Sequence, residues 1–492
     1  MKRLTLTFCA VMALMAIHAE TYTGNIVVKT YGMTNNSNVT VTVTQTDNGT
    51  YYFELIVPRF GTMKMYDVPA GTENGVTVYN AVRDVETNYG TMRTTLFART
   101  VDGMMAANVS IPSYATTMWF NTVGDHFQLP NSDMEAWTNE LGEPDRWHGF
   151  KSADGSYASI SANLVKLEQS EDVRSGATGY SAVMTAYSVF GTVANGTMTN
   201  GQLHAGSMSA TSTDNHAEMD KAKGTTEYYM PLYAKPDKFN VWLKYTQGTA
   251  NANNQAAVSV KTFDGTYYQE PVDKEYTNLS GSIVGGYIPV GDWTQYSFPF
   301  DYDSYAANNA ASEAIFVTFS TNGNPGQGSG GDKLYVDDIQ LVYLAEMTDL
   351  RYQGVTISGW NPAVTTYAIE TQGVPNLDDF TADVIGASAV VTKSMEQNAD
   401  GTYRIAISVV AGDLQTATCY VITATATAPQ ILLGDVDGDG TISIADVTSL
   451  IDYILSGDAS MILLENADMD EDGVIGIADV TAIIDYILSG GH

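Results

Sequence analysis

The stretch GDVDGDGTISIADVTSLIDYILSG, residues 434–457, occurs a second time as ADMDEDGVIGIADVTAIIDYILSG, residues 467–490. The two copies are identical at 17 of 24 aligned positions, which indicates a duplicated structural unit. In each copy, a segment rich in Asp and Gly precedes apolar residues at helical spacing and a closing Ser-Gly. The repeat therefore predicts two units, each made of a loop followed by an amphipathic helix.

Each loop places oxygen-bearing groups in a 12-residue frame that suits a hard cation. A glycine at position 6, Gly440 or Gly473, permits the sharp turn that such a loop needs. Calcium takes about six to eight oxygen ligands, and a loop of this pattern supplies them. We therefore predict one Ca²⁺ in each loop, with position 7 acting through its carbonyl and position 9 through a water. The predicted ligands are Asp435, Asp437, Asp439, Thr441, Ser443 and Asp446 in the first loop, and Asp468, Asp470, Asp472, Val474, Gly476 and Asp479 in the second.

The helix after each loop is predicted to have one apolar face. That face is predicted to comprise Val447, Leu450, Ile451, Ile454 and Leu455, repeated as Val480, Ile483, Ile484, Ile487 and Leu488. No amphipathic helix precedes either loop, and position 12 is Asp rather than the Glu of a regular EF-hand. The repeat is therefore unlike a calmodulin-type sensor.

A calcium half-hand with Asp at position 12, duplicated at this spacing, resembles a type I dockerin. The resemblance implies two antiparallel helices, calcium-dependent folding and a helix face that docks a cohesin domain on another protein. It also implies that loop positions 10 and 11 contact the partner, here Ile444 and Ala445, and Ile477 and Ala478. Because both copies carry the same pair, either could face the partner. A purely structural calcium clip is the alternative.

Composition restricts the partners and the compartment. The 492 residues carry a formal charge of −33, and no Lys or Arg follows Arg404. This excess of negative charge argues against nucleic acid or an anionic membrane as a partner.

The first 19 residues, MKRLTLTFCAVMALMAIHA, have the pattern of a secretory signal peptide. We expect cleavage after Ala19 and a secreted or cell-surface protein. A lipoprotein reading through Cys9 is the alternative. No later stretch has the length and apolarity of a transmembrane segment. After cleavage only Cys419 remains, so the mature chain has no intrachain disulfide.

Residues 20–120 have alternating strands typical of a small β-barrel, with a tight turn at Asn48-Gly49. The stretches TYTGNIVVKT, VTVTVTQTDNGTYYFELIVPRFGTMKM and ARTVDGMMAANVSIP resemble calycin-like domains of secreted bacterial proteins. The resemblance implies a barrel that holds a small ligand, and a barrel filled by its own side chains is the alternative.

Residues 125–344 are predicted to form a larger β-sandwich that opens with FQLPNSDMEAW and closes with DKLYVDDIQLVYL. This stretch resembles the carbohydrate-metabolism domain found in secreted proteins of polysaccharide-degrading bacteria. It also resembles the jelly rolls of carbohydrate-binding modules. The resemblance implies that the first and last strands are neighbours, so that Glu135 and Asp338, with help from Asp337, share a structural Ca²⁺. Solvent-facing carboxylates at a sheet edge are the alternative.

The sandwich shows no diagnostic catalytic pattern. A glycosidase needs two carboxylates on either side of one bond, and none of the acidic residues here lies in a diagnostic frame. His148, His204 and His216 lack metal-ligand spacing. Among the tryptophans, Trp147, between Arg146 and His148 in a polar segment, is the best candidate for a flat surface that stacks on sugar rings. A buried position in the sandwich core is the alternative for each of them, because large aromatic side chains dominate such interiors.

Residues 345–428 form a third predicted β unit, in which WNPAVTTYAI resembles cadherin-like or immunoglobulin-like spacer sandwiches. A Thr/Ala/Pro segment, residues 423–429, is the predicted linker to the dockerin-like module at 431–492.

The sequence therefore predicts a multidomain, mainly β protein with a small α-helical calcium-binding module at its C-terminus. The leading hypothesis is a secreted component of an extracellular polysaccharide-handling system, which binds glycan through the sandwich and a cohesin-type partner through the tail. The alternatives are a glycoside hydrolase with its active site in the sandwich, and a structural surface protein that calcium rigidifies.

Overall fold

The computed structural model describes residues 19–73, 76–122, 127–164, 166–189, 191–224, 227–324, 326–427 and 432–490. Nearly all of the predicted signal peptide, with Cys9, and the end of the predicted linker lie outside these ranges. The chain divides into two compact units. The first comprises Met1–Tyr367, Leu377–Glu396 and Ile405–Ile422, and the second Ala368–Asn376, Gln397–Arg404 and Thr423–His492.

The N-terminal module is a nine-stranded antiparallel sheet with the order β4-β3-β2-β1-β9-β8-β7-β6-β5. Its strands are β1 (Ala19–Thr30), β2 (Met33–Gln45), β3 (Tyr51–Val57), β4 (Gly61–Val68), β5 (Ala70–Glu73), β6 (Val76–Thr87), β7 (Gly90–Val101), β8 (Met104–Ile111) and β9 (Thr116–Thr122). The sheet curls until β4 approaches β6, where the Arg83 guanidinium donates to the carbonyl oxygens of Tyr66 (3.2 Å) and Asp67 (2.6 Å). The predicted barrel-like fold is therefore confirmed.

Side chains fill the interior of this barrel. Alternate residues of each strand point inward, so that the buried positions form one continuous apolar core. The cavity that remains among them, bordered by Phe53, Met105 and Phe120, measures about 40 Å³. That volume suits a water molecule or two rather than an organic ligand, which favours the filled-barrel alternative.

The central module contains one helix and fifteen strands in the part of the chain that the structure describes. They are α1 (Ala158–Leu164), β10 (Lys166–Ser170), β11 (Ser181–Thr185), β12 (Tyr187–Val189), β13 (Thr192–Ala194), β14 (Thr197–Thr199), β15 (Gln202–Ala205), β16 (Asn215–Met219), β17 (Lys238–Thr246), β18 (Ala256–Phe263), β19 (Tyr268–Glu270), β20 (Leu279–Ile283), β21 (Tyr287–Ile288), β22 (Gly291–Asp301), β23 (Ala314–Ser320) and β24 (Lys333–Val342). Ten of the strands form a sheet with the order β10-β11-β24-β17-β22-β20-β18-β23-β14, from which β21 branches at β18.

This sheet folds back on itself at β22, which pairs with β17 on one side and β20 on the other. The two halves pack face to face, as shown by the contact of Phe239 on β17 with Phe319 on β23 at 6.4 Å between ring centroids. A separate three-stranded sheet, β15-β16-β19, lies outside this core. The predicted sandwich is therefore present, with an additional small sheet that the sequence did not indicate.

The spacer region is also built of strands. They are β25 (Glu346–Tyr352), β26 (Val355–Thr356), β27 (Thr366–Gln372), β28 (Phe380–Ile385), β29 (Val390–Gln397), β30 (Tyr403–Val410) and β31 (Ala417–Thr427). They form a three-stranded sheet, β26-β25-β28, and a four-stranded sheet, β27-β31-β30-β29.

Buried polar contacts join the β-rich modules of the first unit. The Arg99 guanidinium of the barrel, 6% exposed, donates to the carbonyl oxygen of Gly412 at 3.1 Å. The Asn108 amide of the barrel donates to the carbonyl oxygen of Leu414 at 3.1 Å. The barrel and the spacer segment Ile405–Ile422 thus belong to the same compact unit.

The C-terminal module consists of helices α2 (Ile444–Ser456), α3 (Leu464–Ala467) and α4 (Ile477–Leu488). The helices α2 and α4 share a small apolar core made of Val436, Val447, Leu450, Ala467, Val480 and Ile483. Each of the two long helices follows an acidic loop, as the repeat predicts. The short α3 immediately before the second loop was not predicted.

Candidate functional site

Helix α2 begins at a tightly bonded junction with the first acidic loop. The hydroxyl of Ser443 caps the helix by accepting from the Ala445 amide at 3.1 Å. Asp446 is fully buried, and its carboxylate binds the start and the end of the loop through backbone amides. It accepts from Val436 (2.7 Å), Asp437 (3.0 Å) and Ser443 (2.7 Å).

Three further carboxylates of this loop converge. One oxygen from each of Asp435, Asp437 and Asp439 lies within 4.8 Å of the other two. Gly440 has φ +85°, which permits the turn that brings them together. Burial and the negative charges of neighbouring aspartates raise the pKa of Asp437. Such mutual repulsion is relieved by a bound cation or by protonation.

One carboxylate oxygen of this cluster accepts no hydrogen bond. Asp435 is 5% exposed, and its Oδ2 accepts from the Gly440 amide at 3.1 Å. Its Oδ1 is buried and has no hydrogen-bond partner. A buried carboxylate oxygen without a donor is costly unless a cation lies beside it. The loop therefore fits a hard divalent ion such as Ca²⁺.

The second loop repeats the convergence of three carboxylates, although both oxygens of Asp468 accept from backbone amides, those of Asp472 (3.1 Å) and Gly473 (2.9 Å). Asp468, Asp470 and Asp472 form an equivalent group within 4.8 Å. Burial and the charges of neighbouring aspartates raise the pKa of Asp470 in the same way. The buried Asp479 takes the place of Asp446, accepting from Met469 (2.7 Å), Asp470 (3.2 Å) and Gly476 (2.7 Å). Within the described ranges, these two loops are the places where three such metal-ligating side chains lie this close together.

The helix starts next to the two loops expose their apolar side chains. Ile444 is 70% exposed and Ile477 is 71% exposed, and Ala445 and Ala478 beside them are also exposed. The predicted partner residues are therefore accessible in both copies.

The predicted apolar face of each helix is buried only in part. Leu455 and its equivalent Leu488 are 80% and 78% exposed, whereas Val447, Leu450, Val480 and Ile483 are buried. Leu455 lies eleven residues, or about three turns, after Ile444, so both are on the outer face of α2. The outer faces of α2 and α4 therefore each carry an exposed isoleucine and an exposed leucine.

Trp147 is not a surface platform. It is 0% exposed, its ring packs 6.0 Å from Phe319, and its Nε1 donates to the carbonyl oxygen of Pro130 at 3.2 Å. Arg146 has φ +70°, and this turn directs the next side chain into the core. The polarity of the flanking residues did not reveal that direction, so the predicted glycan contact is corrected.

Glu135 and Asp338 each have a protein partner. Glu135 Oε1 accepts from the Tyr180 amide at 2.9 Å, and Asp338 Oδ2 accepts from Arg174 Nε at 2.6 Å. Asp338 has φ +45° beside a β-bulge between β17 and β24. Burial and then the negative charges of Asp338 and Glu135 raise the pKa of Asp337 to about 7. The shared cation stays a prediction, since Arg174 already supplies a positive charge to this cluster.

The central module also contains a large cavity that the sequence pattern did not predict. Its volume is about 570 Å³. It lies over β14, β18 and β23, and α1, the β13 segment and the sheet β15-β16-β19 form its sides.

Two histidines stand in the wall of this cavity. His204 on β15 and His216 on β16 are directly opposed across the strands, and their rings stack 5.0 Å apart. His204 Nδ1 lies 2.6 Å from an Asp154 oxygen, while its Nε2 is 3.9 Å from the Asp214 carboxylate. His204 is therefore oriented by Asp154, with Nε2 beyond hydrogen-bond distance of Asp214.

His216 is held as a cation. Its Nδ1 faces the carbonyl oxygen of Thr213 at 2.9 Å and its Nε2 faces Glu218 Oε2 at 3.1 Å, so both nitrogens donate. Burial opposes this charge, but the hydrogen bonds to Glu218 and Thr213 outweigh it and raise the pKa of His216. Burial also opposes the Glu218 charge, but hydrogen bonds from His216 and Lys223 lower the Glu218 pKa to about 2.

The sequence signal for this cluster was present but weak. QLHA and NHAEM are the two short strands that carry His204 and His216, and they become neighbours only through a hairpin. Spacing along the chain cannot show that pairing, whereas pairing the two segments as a hairpin would have. His148, the third histidine considered, is buried elsewhere with Nε2 at 3.0 Å from the Glu227 carbonyl oxygen.

Comparison with known families identifies the C-terminal module. Residues 433–488 match the model of the dockerin type I domain, so this part of the chain is a dockerin type I domain. Domains of this type generally bind calcium, with which the two aspartate clusters are compatible. No curated protein shows significant similarity to the chain.

Three solved structures are similar to this chain, each with a low TM-score and low sequence identity. A candidate glycoside hydrolase from Bacteroides thetaiotaomicron is 14% identical, with 56% of this chain and 89% of that chain covered and a TM-score of 0.31. The M60 catalytic domain of Clostridium perfringens ZmpB with its CBM51-1 and CBM51-2 domains is 10% identical, with coverage of 86% and 40% and a TM-score of 0.15. PNGF-II is 11% identical, with coverage of 67% and 69% and a TM-score of 0.13.

Within the described residues, no helix combines the length and the apolarity that crossing a membrane requires.

Proposed function

We propose that this protein is a secreted component of an extracellular polysaccharide-handling system. Its dockerin attaches it to a cohesin-type domain of another protein, and its central module binds glycan. The observation that carries the attachment is the buried, partnerless Asp435 Oδ1 within a loop of converging carboxylates.

Two calcium ions would hold the C-terminal module together. Carboxylates at loop positions 1, 3, 5 and 12, the carbonyls of Thr441 and Val474, and waters at Ser443 and Gly476 would supply the ligands. A cation removes the repulsion among the aspartates and satisfies Asp435, so binding energy becomes folding energy.

The outer helix faces are the docking surface. Ile444 and Leu455 on α2, and Ile477 and Leu488 on α4, are exposed apolar side chains on a very small module. Exposed apolar groups of this kind contribute most to affinity when a partner covers them. The duplication gives the module two equivalent surfaces, either of which could face a cohesin.

The glycan-binding part rests on the central module. Its cavity has the size of a small-molecule site, about 300–1,000 Å³ for typical ligand pockets. A glycoside hydrolase is the second candidate function, because two carboxylates, Asp154 and Asp214, flank the ring of His204, which lines the cavity.

A binding experiment on the full chain tests the attachment. Immobilised protein should retain cohesin domains from a panel when Ca²⁺ is present and release them when a chelator is added. Failure to bind any cohesin in Ca²⁺ would contradict the proposal.

A glycan array combined with a reducing-sugar assay tests the second part. Binding without released sugar supports a binding module, and released sugar supports the hydrolase. The absence of both would favour the structural role.

A further inference from the structure

The central cavity has a floor of small polar side chains. Thr197 on β14 is paired with Ser320 on β23, and Ser259 on β18 is paired with Thr318 on β23. Directly paired residues share one face of a sheet, and all four line the cavity. Their small size leaves the volume open. Ser259 and Ser320 donate to Glu270 Oε1 (2.8 Å) and to the Asn322 carbonyl oxygen (3.0 Å), so toward a ligand these two hydroxyls can act as acceptors, whereas the Thr197 hydroxyl can donate and accept.

The sides of the cavity also carry large apolar side chains, and several of these are exposed. Ile160 of α1 is 49% exposed, Met208 is 45% exposed and Val272 is 53% exposed. Tyr157 and Leu164 lie beside them. Exposed apolar side chains around a concave site commonly mark a ligand-binding surface.

The ionisable groups that line the cavity are committed to protein partners. His216 is paired with Glu218, and Glu270 accepts from Ser259 Oγ at 2.8 Å and the Tyr268 hydroxyl at 2.9 Å. Among the described lining residues, this leaves the Nε2 of His204 as a ring nitrogen beyond hydrogen-bond distance of its nearest carboxylate, that of Asp214 at 3.9 Å. Asp154 and Asp214 beside it add negative charge, which disfavours an anionic ligand.

We infer that this cavity is the glycan-binding site of the central module and that it takes a neutral oligosaccharide. Floor hydroxyls and His204 Nε2 would hydrogen-bond the sugar hydroxyls, and the apolar side chains would contact the C–H faces of the rings. A sugar ring carries both hydroxyl groups and apolar C–H faces, and the cavity offers polar and apolar side chains that match them. This inference rests on the proposed glycan binding and assigns it a location and a ligand class.

A variant that fills the cavity tests the assignment. Thr197→Trp places a large side chain on the floor of the cavity at a half-exposed strand position. Ser297→Trp is the matched control, because Ser297 is exposed on β22 and does not line the cavity. His204→Phe keeps a flat ring against His216 but removes both nitrogens.

Calorimetry on the full chain would use neutral cello-, xylo-, manno- and malto-oligosaccharides, from tetra- to hexasaccharides, and oligogalacturonates. We expect at least one neutral series to bind, Thr197→Trp to abolish that binding, and Ser297→Trp to leave it unchanged. His204→Phe should weaken it about tenfold, since it removes one or two hydrogen bonds. Unchanged melting temperatures would show that the variants are folded.

Three outcomes would overturn the inference. If Thr197→Trp and His204→Phe both bind as the wild type does, glycan binding stands but its site lies elsewhere. If only oligogalacturonates bind, the ligand class is wrong. If the wild type binds none of these sugars, the proposed glycan binding fails together with its site.

Discussion

The barrel and the dockerin hold their folds together by different means. The barrel buries 24 apolar side chains in one core, whereas the core of the dockerin has six, counted over the described residues. The barrel leaves a cavity of only about 40 Å³, and the dockerin concentrates repelling aspartates with a buried, unsatisfied oxygen. A module as small as the dockerin buries little apolar surface, so we expect a bound ion to contribute to its folding free energy.

The same comparison holds for the charged groups. In the central module, the buried Glu218 is paired with the side chains of His216 and Lys223. In the dockerin, no Lys or Arg is available, because none follows Arg404 in the sequence. The positive charge that the loops need must therefore come from solution.

Removal of one aspartate from each loop should have the largest effect. We expect Asp437→Ala with Asp470→Ala to unfold the dockerin even in excess Ca²⁺, because each loop loses a ligand that converges on the ion. Hydrogen exchange should show lost protection in α2 and α4 and unchanged protection in the barrel strands.

The control for this experiment removes two other acidic residues. Asp458→Ala with Asp485→Ala lowers the charge of the module equally, at exposed positions outside the loops. If both double variants lose the same hydrogen-exchange protection in α2 and α4, net charge rather than ion coordination determines the stability of the dockerin.

Changes on the outer helix faces should affect docking while leaving the fold intact. We expect Ile444→Lys with Ile477→Lys to weaken cohesin binding by at least about 30-fold, because the copy that faces the partner loses a central apolar contact of about 2 kcal/mol or more. Each single variant should bind almost as well as the wild type, since the other copy remains. A large loss in one single variant would show that one copy alone binds the partner.

The ion pair in the cavity wall should give the β-rich unit a pH dependence that does not involve metal. Because the pKa of His216 is raised in the folded state, the protonated ring stabilises the fold. Its contribution to the free energy of unfolding is full below about pH 6.5 and is lost as the pH rises through the raised pKa. The lowered pKa of Glu218 means that its contribution is full above about pH 4.3 and is lost as pH falls toward about 2. We expect His216→Gln to cost about 1–3 kcal/mol at pH 5.5 and less at pH 9, measured by denaturant unfolding.

His148→Gln is the matched control for that measurement. Burial lowers the pKa of His148, so its ring is already neutral above about pH 6.5. The effect of this variant should not shrink between pH 7 and pH 9. If the effect of His216→Gln also stays constant over that range, His216 is not the cation that the geometry indicates.

The smallest expected effect concerns the predicted cation at Glu135 and Asp338. In the Asp437→Ala and Asp470→Ala background, where the dockerin loops cannot respond, a chelator should destabilise the β-rich unit. At a Ca²⁺ concentration ten times the dissociation constant, the loss would be about 1.4 kcal/mol. Glu135→Gln should abolish the response. If the chelator does not change the melting temperature, the prediction of a shared cation is wrong, and Arg174 is the cationic partner of Asp338.

The sequence predicted the dockerin well because its chemistry is local. All side chains of one loop lie within 12 consecutive residues, and the glycine at position 6 fixes the turn that joins them. The strand alternation of the barrel was predictable for the same reason, and the turn predicted at Asn48-Gly49 joins two paired strands, β2 and β3. The exposed Leu455 shows the limit, since helical spacing gives a face but not the extent of its burial.

The cavity could not be predicted because its residues meet only through tertiary structure. Asp154, His204 and Asp214 are brought together by a bridge and a hairpin between segments whose pairing the spacing does not reveal. Trp147 shows the converse error, since a polar neighbourhood in sequence surrounds a side chain that is fully buried. Long-range pairing decides both cases.

The most direct test is a calorimetric titration of Ca²⁺ into the full chain and into its Asp437→Ala and Asp470→Ala variant. The two loops predict that the wild type binds two more ions than the variant and gains helical protection as it does so. Identical heats for the two proteins would contradict the claim that calcium in these loops builds the docking module.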